Sequence, residues 1–276
     1  MDFQADVDRF PPRVLQFLSF AGAISVRSRR QRERLRRQLN REDVAFQWDL
    51  AFASGLLEAA PRLRERNHLV FGVNVLPFFM QWGGGRFRPG HALEQWYRST
   101  GSDIAPHVGA LGPAYVDFVR AVVSGYASRG YRVKHIPFAL EDDWFARECL
   151  AGTAVEFCPF TLRPRTILRQ LGSCSLFLAT RFHAHVYALM AGVPLLSFQY
   201  AEKVRDLWDD LCLPGEASVQ RMELVRSPES PLDKGLGGSP AAIPFARRAA
   251  LEREAQESLA SLLSALPGKN AREHAA

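Results

Sequence analysis

The sequence predicts an α/β protein built on a doubly wound parallel sheet, and three observations carry that expectation. From residue 68 onward, short apolar strands alternate with amphipathic helices, the pattern of successive βαβ units. Two strands, Leu176–Ala179 and Val193–Phe198, are continuous apolar runs separated by one short helical stretch that closes at Gly192, as strands covered on both faces should be. The composition agrees: 276 residues, 47% hydrophobic and 23% charged, are enough to bury a core and too apolar for a disordered chain.

Ahead of the regular pattern, Phe20–Val26 reads as a short strand, Arg29–Leu39 as a strongly basic helix and Val44–Phe52 as another strand. These elements are too short to bury a core of their own. His68–Phe79, with the β-branched centre Val70 Phe71 Gly72 Val73 Asn74 Val75, is the first strand of the main domain. Tyr115, Phe118, Val119, Val122 and Tyr126 then recur at helical spacing, and Gly130 stops that helix. Tyr131–Phe138 is the next strand. Glu141, Asp142 and Asp143 open a helix with the acidic first turn that its dipole favours. Ala154–Phe157 is a third strand, and Arg165–Leu171 the helix before Leu176–Ala179. After Gln199 and Tyr200 comes a helix bearing Lys203, with Leu207, Leu211 and Leu213 on its apolar side. Ser227–Pro244, rich in Pro, Gly and Ser, reads as a linker, and Phe245–Leu266 as an amphipathic helix before a polar tail. The organisation expected is therefore 1–60, a main domain over 61–226, and 227–276 as linker and terminal helix.

The net charge of +6 comes largely from arginine and is compatible with an acidic small molecule, nucleic acid or membrane phosphate. The densest run, Arg27 to Arg41, lacks interleaved aromatics for base stacking and reads as a solvated face, so no nucleic acid partner is expected. Cys149, Cys158, Cys174 and Cys212 show no C-x-x-C spacing and read as reduced core thiols of a cytoplasmic protein. The start, Met1 to Asp6, is acidic and has no apolar segment of a secretory signal. No apolar run approaches the ~20 residues of a membrane span.

Chemistry concentrates where Leu176–Ala179 runs into Thr180 Arg181 Phe182 His183 Ala184 His185. Open α/β sheets bind ligands at the C-terminal ends of their strands. In extended backbone, residues two apart share a face, so Arg181 and His183 are expected to meet one small anion above the amide donors of a helix N-terminus. His185 should lie inside that helix, turned away. Lys203, in a first turn where a cation opposes the dipole, points to a bound anion, and Tyr200 closes the same edge. His135 and Glu141 flank Pro137 and Phe138 at another strand end, Glu141 being equally suited to capping its helix. Arg27 ends the strand Ala23 Ile24 Ser25 Val26 and is placed to enter a cleft. Asn74 reads as an interior amide, and Trp82 Gly83 Gly84 Gly85 Arg86 as a mobile loop lacking the phosphate-binding pattern. The absence of G-x-G-x-x-G after any strand argues against a dinucleotide, and neither H-E-x-x-H nor G-x-S-x-G occurs, so no metal or cofactor is expected.

Thr180 Arg181 Phe182 His183 Ala184, then Ala188 Leu189 Met190 Ala191 Gly192 Val193 Pro194, then Tyr200 and Lys203 Val204, resemble the polysaccharide pyruvyl transferase family. Ile24 Ser25 Val26 Arg27 is similar to its strand ending in Val-Arg-Asp, and Asp49 Leu50 Ala51 Phe52 to its Asp-Pro-Ala-Phe; Ser28 and Leu50 depart from those patterns. The resemblance covers roughly residues 20 to 265. It implies a GT-B-like fold of two Rossmann-like halves, of which residues 61–226 are the C-terminal half and 1–60 a short remnant of the other, so that the chain reads as truncated. It also implies transfer of pyruvyl from phosphoenolpyruvate, as donor substrate, to sugar hydroxyls as a ketal. Arg181, His183 and Arg27 would contact the donor, with Lys203 holding the anion, and the acceptor would be a glycan or lipid-linked sugar, the latter implying peripheral membrane association. Such a reaction needs an acid and anion clamps, which histidine and forked guanidinium groups supply. A nucleotide-sugar glycosyltransferase and a non-catalytic binding subunit are the alternatives, and the oligomeric state stays open.

Overall fold

The structure is a computed structural model and describes residues 12–56, 69–99, 102 and 104–264. His68 and Leu266, the expected limits of two elements, lie outside the described residues. The N-terminal segment comprises α1 (Pro12–Ser19), β1 (Ser25–Val26), α2 (Arg29–Leu39), β2 (Ala45–Phe46), parallel to β1, and a 3₁₀ turn at Leu50–Ala53. The strands expected over Phe20–Val26 and Val44–Phe52 shrink to two residues each, their pairing reaching only to the bonds Ala45 N to Ile24 O and Gln47 N to Val26 O among the described residues. Ile24, Leu35 and Val44 form a small cluster, so this segment depends on docking. Ser28 Oγ caps α2 by accepting from Gln31 N and donates to Asp206. Trp48 and Phe52 enter the core of the main domain.

That domain continues through β3 (Val70–Val73), β4 (Met80–Gly83), β5 (Arg86–Pro89), α3 (His91–Ser99), α4 (Val108–Ser128), β6 (Arg132–His135), α5 (Leu140–Cys149), β7 (Val155–Phe157), α6 (Pro164–Gly172) and β8 (Leu176–Ala179). It ends with α7 (Phe182–Ala191), β9 (Leu195–Gln199), α8 (Glu202–Asp210), β10 (Ser218–Gln220), α9 (Glu223–Arg226), α10 (Glu229–Gly237) and α11 (Phe245–Ser264). Six strands form one parallel sheet in the order β10-β9-β8-β3-β6-β7. The chain winds from β3 outward to β7, then returns to the other side of β3 for β8. The switch point is thus between β3 and β8, where ligands of doubly wound sheets bind.

Strand periodicity sorts the core. Phe71, Val73, Leu176, Leu178, Leu196 and Phe198 pack under α4 and α5. Val70, Phe177, Ala179 and Leu195 pack on the other face under α6, α7, α8 and α11. Fully burying each such side chain contributes about 1.5–3 kcal/mol, which is why four- and five-residue strands suffice here.

Two segments differ from expectation. Trp82 to Arg86 is not a mobile loop but the tip of the antiparallel β4–β5 hairpin. Gly84 and Gly85, at φ 60 and 79, supply the two positive-φ residues that a tight hairpin turn demands, and Trp82 packs edge-on against its cross-strand partner Phe87. Glu229–Gly237, inside the expected linker, is the helix α10, packed on α4, and Ala241 bridges to Leu195. Cys149, Cys158 and Cys174 are buried thiols, but Cys212 is exposed, being in the turn after α8. No described helix is long and apolar enough to cross a membrane.

Candidate functional site

The floor of the switch point is closed by hydrogen bonds. Just beyond β3, Asn74 accepts at its carbonyl from Thr180 Oγ1 (2.7 Å) and at Oδ1 from Arg181 N (2.9 Å), and its amide donates to Ile136 O and Asp142 Oδ2 (3.2 Å each). Thr180 Oγ1 also lies 3.0 Å from Tyr115 Oη. Asp142 is fully buried, caps α5 by accepting from Phe138 N and Ala139 N (3.1 Å each), and receives Arg181 Nε at 2.7 and 2.8 Å. Burial pushes the Asp142 carboxyl above the usual carboxylate range, while Arg181 and the N–H donors pull it back. Burial opposes the charge of Arg181 too, and Asp142 and Glu141 outweigh it, so its pKa is raised.

This arrangement differs from an Arg181–His183 pair facing one anion. The helix α7 begins at Phe182, with Arg181 as its N-cap residue, so the two side chains do not share an extended strand face. Arg181 turns toward α5, where Glu141 Oε1 also takes its Nη2 at 2.7 Å. Capping of α5 thus falls to Asp142, and Glu141 serves Arg181. His183 turns the other way, with 57% of its side chain exposed and Nε2 3.8 Å from Asp49 Oδ1.

Around Phe182 the remaining expected residues come together. Arg27, just past β1, lays its guanidinium carbon 4.4 Å from the Phe182 ring centre and its Nη1 3.0 Å from Asp49 Oδ2. Lys203 Nζ, in the first turn of α8, is 5.9 Å from the same ring and 5.6 Å from that of Tyr200. The His183 ring stands edge-on to Phe182 at 5.5 Å. Three cationic or protonatable groups thus meet at the first turn of α7, with Asp49 between Arg27 and His183. The 3₁₀ turn places Asp49, whose side chain also accepts from Ala51 N. The backbone N–H groups of Phe182, His183 and Ala184 precede the first intrahelical bond, His185 N to Arg181 O, so they add donors at the same spot.

His135 is not part of this cluster. It is fully buried at the end of β6 with its ring 6.0 Å from Phe157, and burial lowers its pKa to about 3. His185 is buried inside α7, with Nδ1 2.8 Å from Arg181 O and Nε2 2.9 Å from Ser197 Oγ; burial lowers its pKa to about 4. Sequence reasoning did not single out Phe182 or Asp49 as site residues, nor Asp142 as the partner of Arg181. The signals present were the sequence position of Phe182, between the two leading candidates, and Asp49 at the head of the Asp49 Leu50 Ala51 Phe52 segment.

No curated protein matches the chain. The family model for polysaccharide pyruvyl transferase matches residues 10–202, a stretch that contains Arg27, Asp49, Asn74, Asp142, Arg181, Phe182 and His183. That stretch is more than half of the 276 residues, and the chain belongs to the polysaccharide pyruvyl transferase family.

Proposed function

We propose that the protein transfers pyruvyl from phosphoenolpyruvate to two hydroxyls of one sugar, forming a ketal on a glycan or lipid-linked precursor of a cell-surface polysaccharide. The observation that supports this most directly is the convergence of Arg27, Lys203 and His183 on Phe182 at the start of α7. Phosphoenolpyruvate carries a carboxylate and a phosphate close together. A guanidinium fork suits either planar or tetrahedral oxyanion, an ammonium adds a point charge, and helix N–H groups take further oxygens.

In this reading His183 protonates the methylene carbon of the enol, leaving an oxocarbenium-like centre at the neighbouring carbon. A sugar hydroxyl bonds there and loses its proton; the carbon–oxygen bond to phosphate then breaks, phosphate keeping the electron pair. The second hydroxyl bonds to the same carbon and also releases its proton, completing the ring. Proton transfer by a positioned histidine contributes about 100- to 10,000-fold in rate. Asp49 holds Arg27 and pairs with the imidazolium form of His183. Arg181 acts as a positioning residue, since through Asn74 and Asp142 it fixes the start of α7.

With phosphoenolpyruvate and a sugar acceptor, His183→Ala and Arg27→Ala should each abolish ketal formation while remaining folded. Full turnover in His183→Ala would end the reading. Phosphoenolpyruvate at about 100 times its Kd should stabilise the wild type by about 2.7 kcal/mol. Stabilisation by a nucleoside diphosphate sugar, with none by phosphoenolpyruvate, would favour glycosyl transfer instead.

A further inference from the structure

A cleft of about 310 Å³ opens at the C-terminal ends of β9 and β10, on the far side of the Tyr200–Lys203 turn from the Phe182 cluster. Three arginines line it from three places: Arg205 on α8, Arg221 after β10 and Arg226 at the end of α9. Glu202 is the one carboxylate in the lining, and it is shared by Arg205 at 2.9 Å and Arg30 at 3.5 Å. Arg221 donates to Tyr200 O at 3.2 Å, which holds its guanidinium at the cleft's edge. Arg226 is exposed and makes no ion pair among the described residues.

The second, independent feature is Gln199. It is 6% exposed, lines the cleft, and its side-chain amide makes no hydrogen bond among the described residues. Its amide therefore meets the solvent of the cleft rather than protein, and a ligand seated there would take over the hydrogen bonds that water makes to it. Guanidinium groups from three directions select tetrahedral oxyanions, and the volume suits a small ligand.

We infer that this cleft binds a phosphorylated ligand, recognised through a diphosphate held by Arg205, Arg221 and Arg226 and capped by Gln199. All three arginines lie beyond residues 10–202, whereas Gln199 and Glu202 lie within them, so the cleft straddles the end of the stretch that the family model matches. Its link to the reaction rests on the proposed function: the diphosphate would be that of the acceptor's carrier. Binding itself does not depend on that reading.

Calorimetric titration of the full chain with inorganic pyrophosphate tests it, alongside phosphoenolpyruvate as a control. Saturable pyrophosphate binding is expected, weakened about tenfold or more in Arg226→Gln and also weakened in Gln199→Leu, with phosphoenolpyruvate affinity unchanged in Arg226→Gln. An absence of pyrophosphate binding to the wild type would overturn the inference. Equal pyrophosphate affinity in wild type and Arg226→Gln would do the same, as would a parallel loss of phosphoenolpyruvate affinity. Arg226 is exposed, so its replacement should leave the urea midpoint unchanged. Uridine diphosphate and farnesyl diphosphate then separate the sources: tighter binding than pyrophosphate by the first identifies a nucleotide carrier, by the second a lipid carrier. Retained pyrophosphate binding without any phosphoenolpyruvate binding would remove the proposed donor and leave this cleft standing.

Discussion

Arg181 gives its guanidinium to Asp142 and Glu141, whereas Arg27 keeps 41% of its side chain in solvent beside one carboxylate, Asp49. The two arginines therefore separate stability from binding. Asp142→Ala removes the acceptor of Arg181 Nε, Asn74 Nδ2 and two backbone N–H groups, leaving the partly buried Arg181 charge with only the half-exposed Glu141. Breaking such a pair costs about 3–5 kcal/mol, which should appear as a lowered urea midpoint. Arg27→Ala breaks a half-exposed pair and should change stability by less than about 1 kcal/mol, while abolishing phosphoenolpyruvate-dependent thermal stabilisation. A stable Asp142→Ala variant would show that Asn74 and packing anchor the start of α7 without Asp142.

At the scale of elements, the strands of the sheet were legible where apolar runs are unbroken, as in β3, β8 and β9, because burial on both faces leaves no room for polar residues. The three-residue β10, Ser218–Gln220, has no such run and gains its strand character from pairing with β9. Proline, glycine and serine suggested a linker over α10, yet Gly235 is there for contact rather than freedom: an added Cβ would fall 2.8 Å from Val122 Cγ2. The same limit applies to the site. The position of Arg181 and His183 at a strand end was visible in the chain, but their divergence depends on where α7 starts, and the Arg181–Asp142 bond spans 39 residues of sequence. Gly235→Val should push α10 off α4, because the β-branched Val122 cannot rotate away. A loss of about 1–3 kcal/mol in urea unfolding is expected, and an unchanged midpoint would mean that α10 is only loosely seated.

For the whole molecule, the two buried histidines set how stability depends on pH. His185 ties the first turn of α7 to β9 through Arg181 O and Ser197 Oγ, and His135 sits under α5 at the end of β6. Burial holds their folded pKa values at about 4 and about 3, against about 6.5 in the unfolded chain. Between those limits the unfolded chain binds more protons, so stability is complete above about pH 6.5 and falls as the pH drops toward the folded values. Each histidine contributes a loss of about 2 kcal/mol between pH 7.5 and 5, about 4 kcal/mol together. This is a large share of the 5–15 kcal/mol typical of a domain. Asp142, whose pKa is raised, acts in the opposite sense, since protonation of its folded form begins above the range of the unfolded carboxylate. Urea unfolding at the two pH values should show this difference in the wild type and about half of it in His135→Leu, which has one buried imidazole fewer. The same difference in both proteins would mean that His135 takes up its proton in the folded state as readily as in the unfolded chain.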